Sequence, residues 1–437
     1  MKDNKPSQPS RFKKIYHTLH SMKFGMVLLL IIGLLSIIGT ILPQDRPLSF
    51  YQEAYHPFLY GIIETFQLQQ VYTSWWFLFL IALLSVNLLL CSILRLPKLV
   101  KKMKEQPHIP TSEKRNPLLV LDANPPKNPG DVFKKTGFRA PVKLAHDRRE
   151  IYYQKKHAFG HLGSWFTHVG LLTVFISYLF GQVAGFETFF YGVPGVRGEI
   201  EHTNLELAIE GFSIDYREDN SIHQYTSDLR VYSRESDRLI KEGVSKVNDP
   251  LRVEGLSIYQ NGTGWAVDLN LYKEGEILRD LTLYEGEIHV DDDQRIAIQF
   301  YDFFPDLVRH RGMPRSQSPF PANPHMLYVL YYEGFRADMN VVGMGEEIRY
   351  EEYAFSVEDP RHFTYLQIVR DPGIPGALAG GLLLTLGIFL AFYLHPKALM
   401  VERTPDGALR IWAKAPKGAL IFQKQIKTAL KEGSPWE

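Results

Sequence analysis

The sequence predicts an integral membrane protein: four transmembrane α-helices, with a large extracytoplasmic all-β domain between helices three and four. Three observations predict it. Four apolar runs, 24–42, 75–94, 162–180 and 374–394, contain no Asp, Glu, Lys or Arg. Each is about 20 residues long, the length a helix needs to cross a bilayer. The flanking charge is lopsided in a way that orients the runs. Finally, the stretch between the third and fourth runs alternates apolar and polar residues, the period of half-buried strands.

The elements follow in chain order. Residues 1–23 form a basic leader with six Lys/Arg and one acid, read as flexible and cytoplasmic. The first run ends at Pro43, which stops a helix. No small-x-small cleavage site precedes Pro43, so the run is a retained anchor and not a signal peptide. The loop 43–74 has only Arg46 against Asp45, Glu53 and Glu64. Its aromatic residues (Tyr51, Tyr55, Phe58, Tyr60, Phe66) suggest a short interfacial helix or a lid. Trp75-Trp76 mark the outer interface of the second run.

The connection 95–161 carries 16 Lys/Arg and six acids, beginning with Arg95, Lys98, Lys101, Lys102 and Lys104. The positive-inside rule therefore places both termini and this connection in the cytoplasm. The same basic cluster can bind anionic lipid head groups. Segments 132–137 and 150–154 suggest a small α/β element within the connection. Residues 181–373, with 18 basic and 34 acidic residues, then face outward. Leu205-Glu-Leu-Ala-Ile-Glu, Val267-Asp-Leu-Asn-Leu-Tyr and Arg295-Ile-Ala-Ile-Gln-Phe read as strands of a β-sandwich or barrel. Asn261-Gly262, Glu274-Gly275, Glu285-Gly286 and Glu333-Gly334 read as turns. Residues 303–324, with five prolines, read as a long loop. The cytoplasmic tail occupies 395–437.

The third run holds the most informative residues. His161 and His168 are seven residues apart, close to two helical turns, so both lie on one face with Trp165 between them. His168 sits about 10–12 Å into the run at 1.5 Å per residue; His161 sits near the inner interface. A polar side chain at membrane depth is costly, which makes a functional role the default hypothesis. Neutral imidazole ligates iron, including haem iron. The alternative is a structural histidine hydrogen-bonded to a neighbouring helix. Two imidazoles on one helix cannot flank a single iron, and no other run has a deep histidine. If His168 binds haem, a second axial ligand comes from another protein. A diheme electron carrier would need paired histidines on two helices, which this chain lacks.

Other chemistry is not in view. The single cysteine, Cys91, permits no internal disulfide and no Cys-x-x-Cys pair. There is no Cys-x-x-Cys-His for covalent haem, no Gly-rich phosphate loop, no Gly-x-Ser-x-Gly and no His-Glu-x-x-His. The near-zero net charge averages over very different regions and points to no partner. A self-contained enzyme and a nucleic-acid partner are both unexpected.

Several segments resemble one family. They are Ser21-Met-Lys-Phe-Gly25 through Gly39-Thr40-Ile-Leu-Pro43-Gln44, then Thr167-His168-Val-Gly170, and Asp371-Pro372-Gly373 before the last run. The most specific is Val247-Asn248-Asp249-Pro250-Leu251-Arg252-Val-Glu-Gly255-Leu-Ser-Ile-Tyr259-Gln260. Together they are similar to the ResB (CcsB) proteins of system II c-type cytochrome maturation, over nearly the whole chain. The resemblance implies a membrane complex that carries haem b outward and attaches it to apocytochrome c. It also implies a polytopic ResC/CcsA-like haem-handling partner and, indirectly, a thiol-reducing thioredoxin-like protein. This chain lacks the partner's Trp-rich motif, so it would be the accessory, non-catalytic half. The family's transmembrane haem ligand maps onto His168. Asn248, Pro250, Gly255, Tyr259 and Gln260 then belong either to a strand-and-turn framework or to a contact with apocytochrome. A scaffold that recruits apocytochrome without touching haem is the rival reading.

Overall fold

The four apolar runs form helices because a helix satisfies its backbone N–H and C=O groups within the segment, as a bilayer demands. The computed structural model describes residues 11–105, 117–121, 128–146, 149–311 and 313–431. The first ten residues of the leader and parts of the connection and tail lie outside that description.

The leader is helical where it is described. Helix α1 spans Arg11–Leu19, a correction to the flexible reading. Helix α2 (Met22–Ile41) ends before Leu42-Pro43. Two short helices follow, α3 (Leu48–Ala54) and α4 (Pro57–Thr65), and then a 3-10 turn over Leu68–Thr73. Gln44 organises this loop. Its side-chain amide donates to the oxygens of Leu42 and Leu68, and its oxygen accepts from the Val71 N–H. The buried Tyr51 hydroxyl donates to Pro43 O.

Helix α5 (Trp75–Lys104) runs ten residues beyond the expected span. The basic cluster Arg95–Lys104 is therefore its last turns and not the start of a loop. Pro97 lies inside it, where it removes one hydrogen bond and crowds the preceding turn. Three cationic side chains in the last turn complement the helix C-terminus. Lys155 adds a fourth, donating to the free carbonyls of Lys102 and Glu105.

The connection and the tail are one small domain. Strands Leu119–Leu121, Leu409–Lys414, Lys397–Arg403, Arg149–Lys156 and Val142–His146 make a five-stranded antiparallel sheet, in that order. Helices α6 (Pro129–Lys135) and α9 (Ala419–Lys431) pack Val132, Phe133, Phe422 and Ile426 onto Leu399, Val401, Leu409 and Ile411.

Helix α7 (Gly163–Ala184) is preceded by a 3-10 turn, Ala158–Leu162. Helix α8 (Ile374–Phe392) completes a set of four helices long and apolar enough to cross a membrane. Helices α7 and α8 meet through small residues. A Cβ on Gly170 would strike Gly380 O and the Leu384 backbone, and one on Gly387 would strike the Thr167 backbone. Such close approach is how helices associate in lipid, where no hydrophobic force drives them together.

Residues Ala184–Pro372 form a second unit, built on two 18-residue strands, Leu256–Lys273 and Tyr353–Arg370. These pair with each other along nearly their whole length. Each reaches about 60 Å at 3.3 Å per residue. One end packs Val267, Leu269, Phe355 and Val357 against Ile298, Phe300, Met326 and Leu330 of a four-stranded sheet. The other packs Ile258, Leu366 and Ile368 against Leu207, Ile209, Leu229 and Val231 of another. The unit is thus two sandwiches sharing one sheet, where a single sandwich or barrel is expected. The three alternating segments are all strands. Glu274-Gly275 and Glu333-Gly334 turn with positive φ at both residues, as hairpin turns require. Asn261-Gly262 does not turn. It is a bulge inside Leu256–Lys273, where the pairing register shifts between Gln260 and Gly262. Pairing with the long neighbouring strand overrides the local turn signal there. The expected loop 303–324 carries a hairpin, Leu307–His310 with Met313–Ser316.

Candidate functional site

Helix α7 presents two working faces. Gly163, Gly170 and Ser177, spaced by seven, approach Ala391, Leu384 and Gly376 of α8. The opposite stripe, Trp165, His168, Leu172, Phe175 and Leu179, recurs every three to four residues. Leu172 and Phe175 pack with Leu84 and Leu88 of α5 and Leu28 of α2. Phe175 and Leu179 continue against Phe77 and Ile81. At the N-terminal end of the stripe the Trp165 indole donates to Ser92 O at 3.1 Å.

His168 lies between these anchors, five residues into α7, or about 8 Å along the axis. Its ring is half-buried. Among the described residues it has no hydrogen-bond partner, and its nitrogens are not enclosed like those of His157 or His395. The structural alternative, a histidine satisfied by a neighbouring helix, therefore has no such partner among the described residues. His161 lies in the 3-10 turn that leads into α7 through Gly163, whose backbone is helical, and this turn packs closely on the end of α8, where a Cβ on Gly160 would strike Leu394 O and Pro396.

Two residues that the sequence did not single out join this stripe. On α5, Leu84, Leu88, Ser92 and Arg95 recur at helical spacing and face α7. Ser36, Thr40, Ser85, Thr167, Thr173 and Thr385 each donate to the carbonyl four residues earlier. The Ser92 hydroxyl does not, and it is buried without a partner. Arg95 makes one hydrogen bond among the described residues, to Met22 Sδ at 3.9 Å, and pairs with no carboxylate among them. Cys91 donates to His20 O, which fits a packed structural thiol.

These residues fit a haem in donor chemistry. An uncommitted imidazole can take one axial position. A buried, unpartnered hydroxyl and an unpaired guanidinium stand on the facing helix.

The family-like residues of the β unit read as framework. Asn248 (φ 66°) closes the turn in which Lys246 and Asp249 exchange backbone hydrogen bonds. Pro250 is buried and leads into the strand Leu251–Val253. Glu254 (φ 45°) and Gly255 (φ 81°) then form the two-residue loop that pairs Val253 with Leu256. Tyr259 is partly exposed. Gln260 is buried, and its side-chain oxygen accepts from Ser227 at 2.6 Å and Thr364 at 2.8 Å. Its amide donates to Gly262 O at 2.8 Å. A cleft of about 490 Å³ opens beside the Glu254-Gly255 turn, lined by His202, Thr203, Asn204, Glu254 and Arg370.

Four spanning-length helices with an uncommitted histidine, and a large β-rich unit in the chain between the third and fourth, define a helical membrane protein with a large β domain. The ResB-like family model matches residues 22–299 and 335–415, and the chain belongs to that family. It is 27% identical over 439 residues to the cytochrome c biogenesis protein CcsB of Gloeobacter violaceus, covering 93% of this chain and 88% of that one. The corresponding figures for CcsB of Nostoc sp. are 24% identity, 97% and 94%. For the cytochrome c biogenesis protein Ccs1 of Rhodomonas salina they are 25%, 95% and 96%.

Proposed function

We propose that this chain is the accessory subunit of a system II complex that moves haem b across the membrane for covalent attachment to apocytochrome c. His168 is the axial ligand it contributes. The observation that carries the reading is the His168 ring: half-buried in a spanning-length helix, unpaired, and flanked by the anchored residues Trp165 and Leu172. When bound, haem supplies the group to be transferred. The chain's own residues hold and orient it. Trp165 fixes α7 against α5 and so fixes the direction of the imidazole. The second axial ligand comes from a polytopic ResC/CcsA-like partner, because this chain offers no other deep histidine. His161 takes no ligand role.

Both termini and the small α/β domain lie in the cytoplasm, and the β domain outside, on the strength of the charge asymmetry. The β domain braces the partner or receives apocytochrome, which a thioredoxin-like protein keeps reduced. The cleft beside Gly255 is the candidate contact. The chain does no bond chemistry itself. Co-expression with the partner tests the reading. His168→Ala is expected to lower both the haem that co-purifies and the yield of mature c-type cytochrome. Normal haem with lost maturation after disruption of 248–260 would favour a scaffold role instead.

A further inference from the structure

We infer that the strand Phe186–Gly192 is the docking edge for an extended, basic polypeptide, which it takes on as an added strand. In the function proposed above, on which the identity of that polypeptide rests, it is apocytochrome.

The edge is open. Phe186–Gly192 pairs with Tyr353–Arg370 alone, in unbroken register from Phe186↔Arg370 to Gly192↔Thr364. Among the described residues its main-chain groups have no hydrogen-bond partner outside that pairing. A bare edge is a template for another strand, and proteins blunt such edges with lysine, proline, bulges or short length. The unit's other long edge strands each carry a basic residue and a register shift against their neighbour. These are Lys241 on Leu239–Lys246, Arg279 on Glu276–Tyr284 and Arg336 on Phe335–Gly343. Phe-Glu-Thr-Phe-Phe-Tyr-Gly has neither, and no proline.

Its exposed side suits one kind of occupant. Phe189 and Tyr191 are 47% and 43% exposed. Both stack on Tyr365, with ring centroids 5.3 and 6.1 Å away. The register sets Phe189, Gln367 and Tyr259 side by side on that face. An added strand would lay every second side chain beside these rings. Glu187 and Glu287 bracket the aromatic pair, and Glu287 accepts from the Tyr191 hydroxyl at 2.6 Å. Residues 181–373 carry 34 acids against 18 bases, which repels a second copy of this chain and draws in a basic segment. The cleft described above lies at one end of the edge: Arg370 pairs with Phe186, and the His202 ring is 5.6 Å from the Phe186 ring.

The test titrates the full chain in detergent micelles with a fluorescein-labelled decapeptide that alternates lysine with valine or phenylalanine. A second peptide has the same side chains with every peptide nitrogen methylated, so it cannot donate to an edge. Wild type is expected to bind the first and not the second. The double variant Phe189→Lys, Tyr191→Lys is expected to bind the first about tenfold more weakly. Ile277→Lys, exposed on a different edge, should bind as wild type. Equal binding of the methylated peptide overturns the inference, as does a double variant that keeps wild-type affinity. Wild-type dimers that the double variant abolishes would make a second copy the occupant and overturn it too. A reduced, haem-free cytochrome c polypeptide separates edge from function. If wild type and double variant bind it alike, apocytochrome docks elsewhere and the edge inference falls alone. If the decapeptide binds at the edge and the cytochrome polypeptide does not bind, the edge stands and the apocytochrome reading falls.

Discussion

The indole of Trp165 is bonded to the main-chain oxygen of Ser92 at 3.1 Å, joining α7 to α5 three residues from His168. A donor that spends its hydrogen on a neighbouring helix is a positioning device in lipid, where an unpaired N–H is costly. Trp165→Phe keeps the ring and loses the bond. It is expected to cost about 1 kcal/mol, read as a melting point lowered by a few degrees in detergent. Haem bound to the variant should show a broadened Soret band.

Two adjacent glycines of α8 give a matched test of the α7–α8 contact. A Cβ on Gly380 would lie 2.8 Å from Gly170 O and from Val174, whereas nothing lies within 4 Å of one on Gly381. Gly380→Ala is expected to destabilise by about 1–3 kcal/mol, as overpacking does. Gly381→Ala should be neutral or slightly stabilising. Thermal melting of the two variants in the same detergent decides it.

Gln260 holds the β domain together from inside. Gln260→Leu leaves Ser227 and Thr364 without their shared acceptor, at an expected cost of about 2–3 kcal/mol. Limited proteolysis should then cleave the β domain at lower temperature while haem content stays unchanged. A loss of haem without a loss of β-domain stability would assign Gln260 a direct role.

Burial holds the His362 imidazole below its ordinary pKa. Its ring stacks on Trp265 at 3.8 Å, and its Nδ1 is enclosed without a partner. The unfolded chain therefore binds a proton that the folded one excludes, so stability rises with pH across that window. The contribution is complete above about pH 6.5 and is lost as pH falls from there through the folded value. The β-domain melting point should drop between pH 7 and pH 5, and His362→Gln should flatten the slope.

The spans were legible because absence of charge over twenty residues is a local property. The three alternating segments were legible for the same reason. What escaped depends on distant pairing. Strands Lys397–Arg403 and Leu409–Lys414 belong to a sheet whose other members lie some 250 residues earlier in the chain. Nothing local marks them as more than a tail. Asn261-Gly262 carries a strong turn signal that neighbouring strands overrule. Arg95 reads from sequence as a topology charge because it follows the uncharged run 75–94. Only the continuation of α5 to Lys104, and its level against Trp165, bring Arg95 onto the stripe of His168.

The most direct measurement is the absorption spectrum of the full chain, purified with the proposed haem-handling partner, for wild type and His168→Gly. The variant is expected to lose most of its Soret intensity and to recover it when imidazole is added. Recovery would show that the position lacks a ligand and not a fold. An unchanged Soret band in His168→Gly, with or without imidazole, would contradict the account.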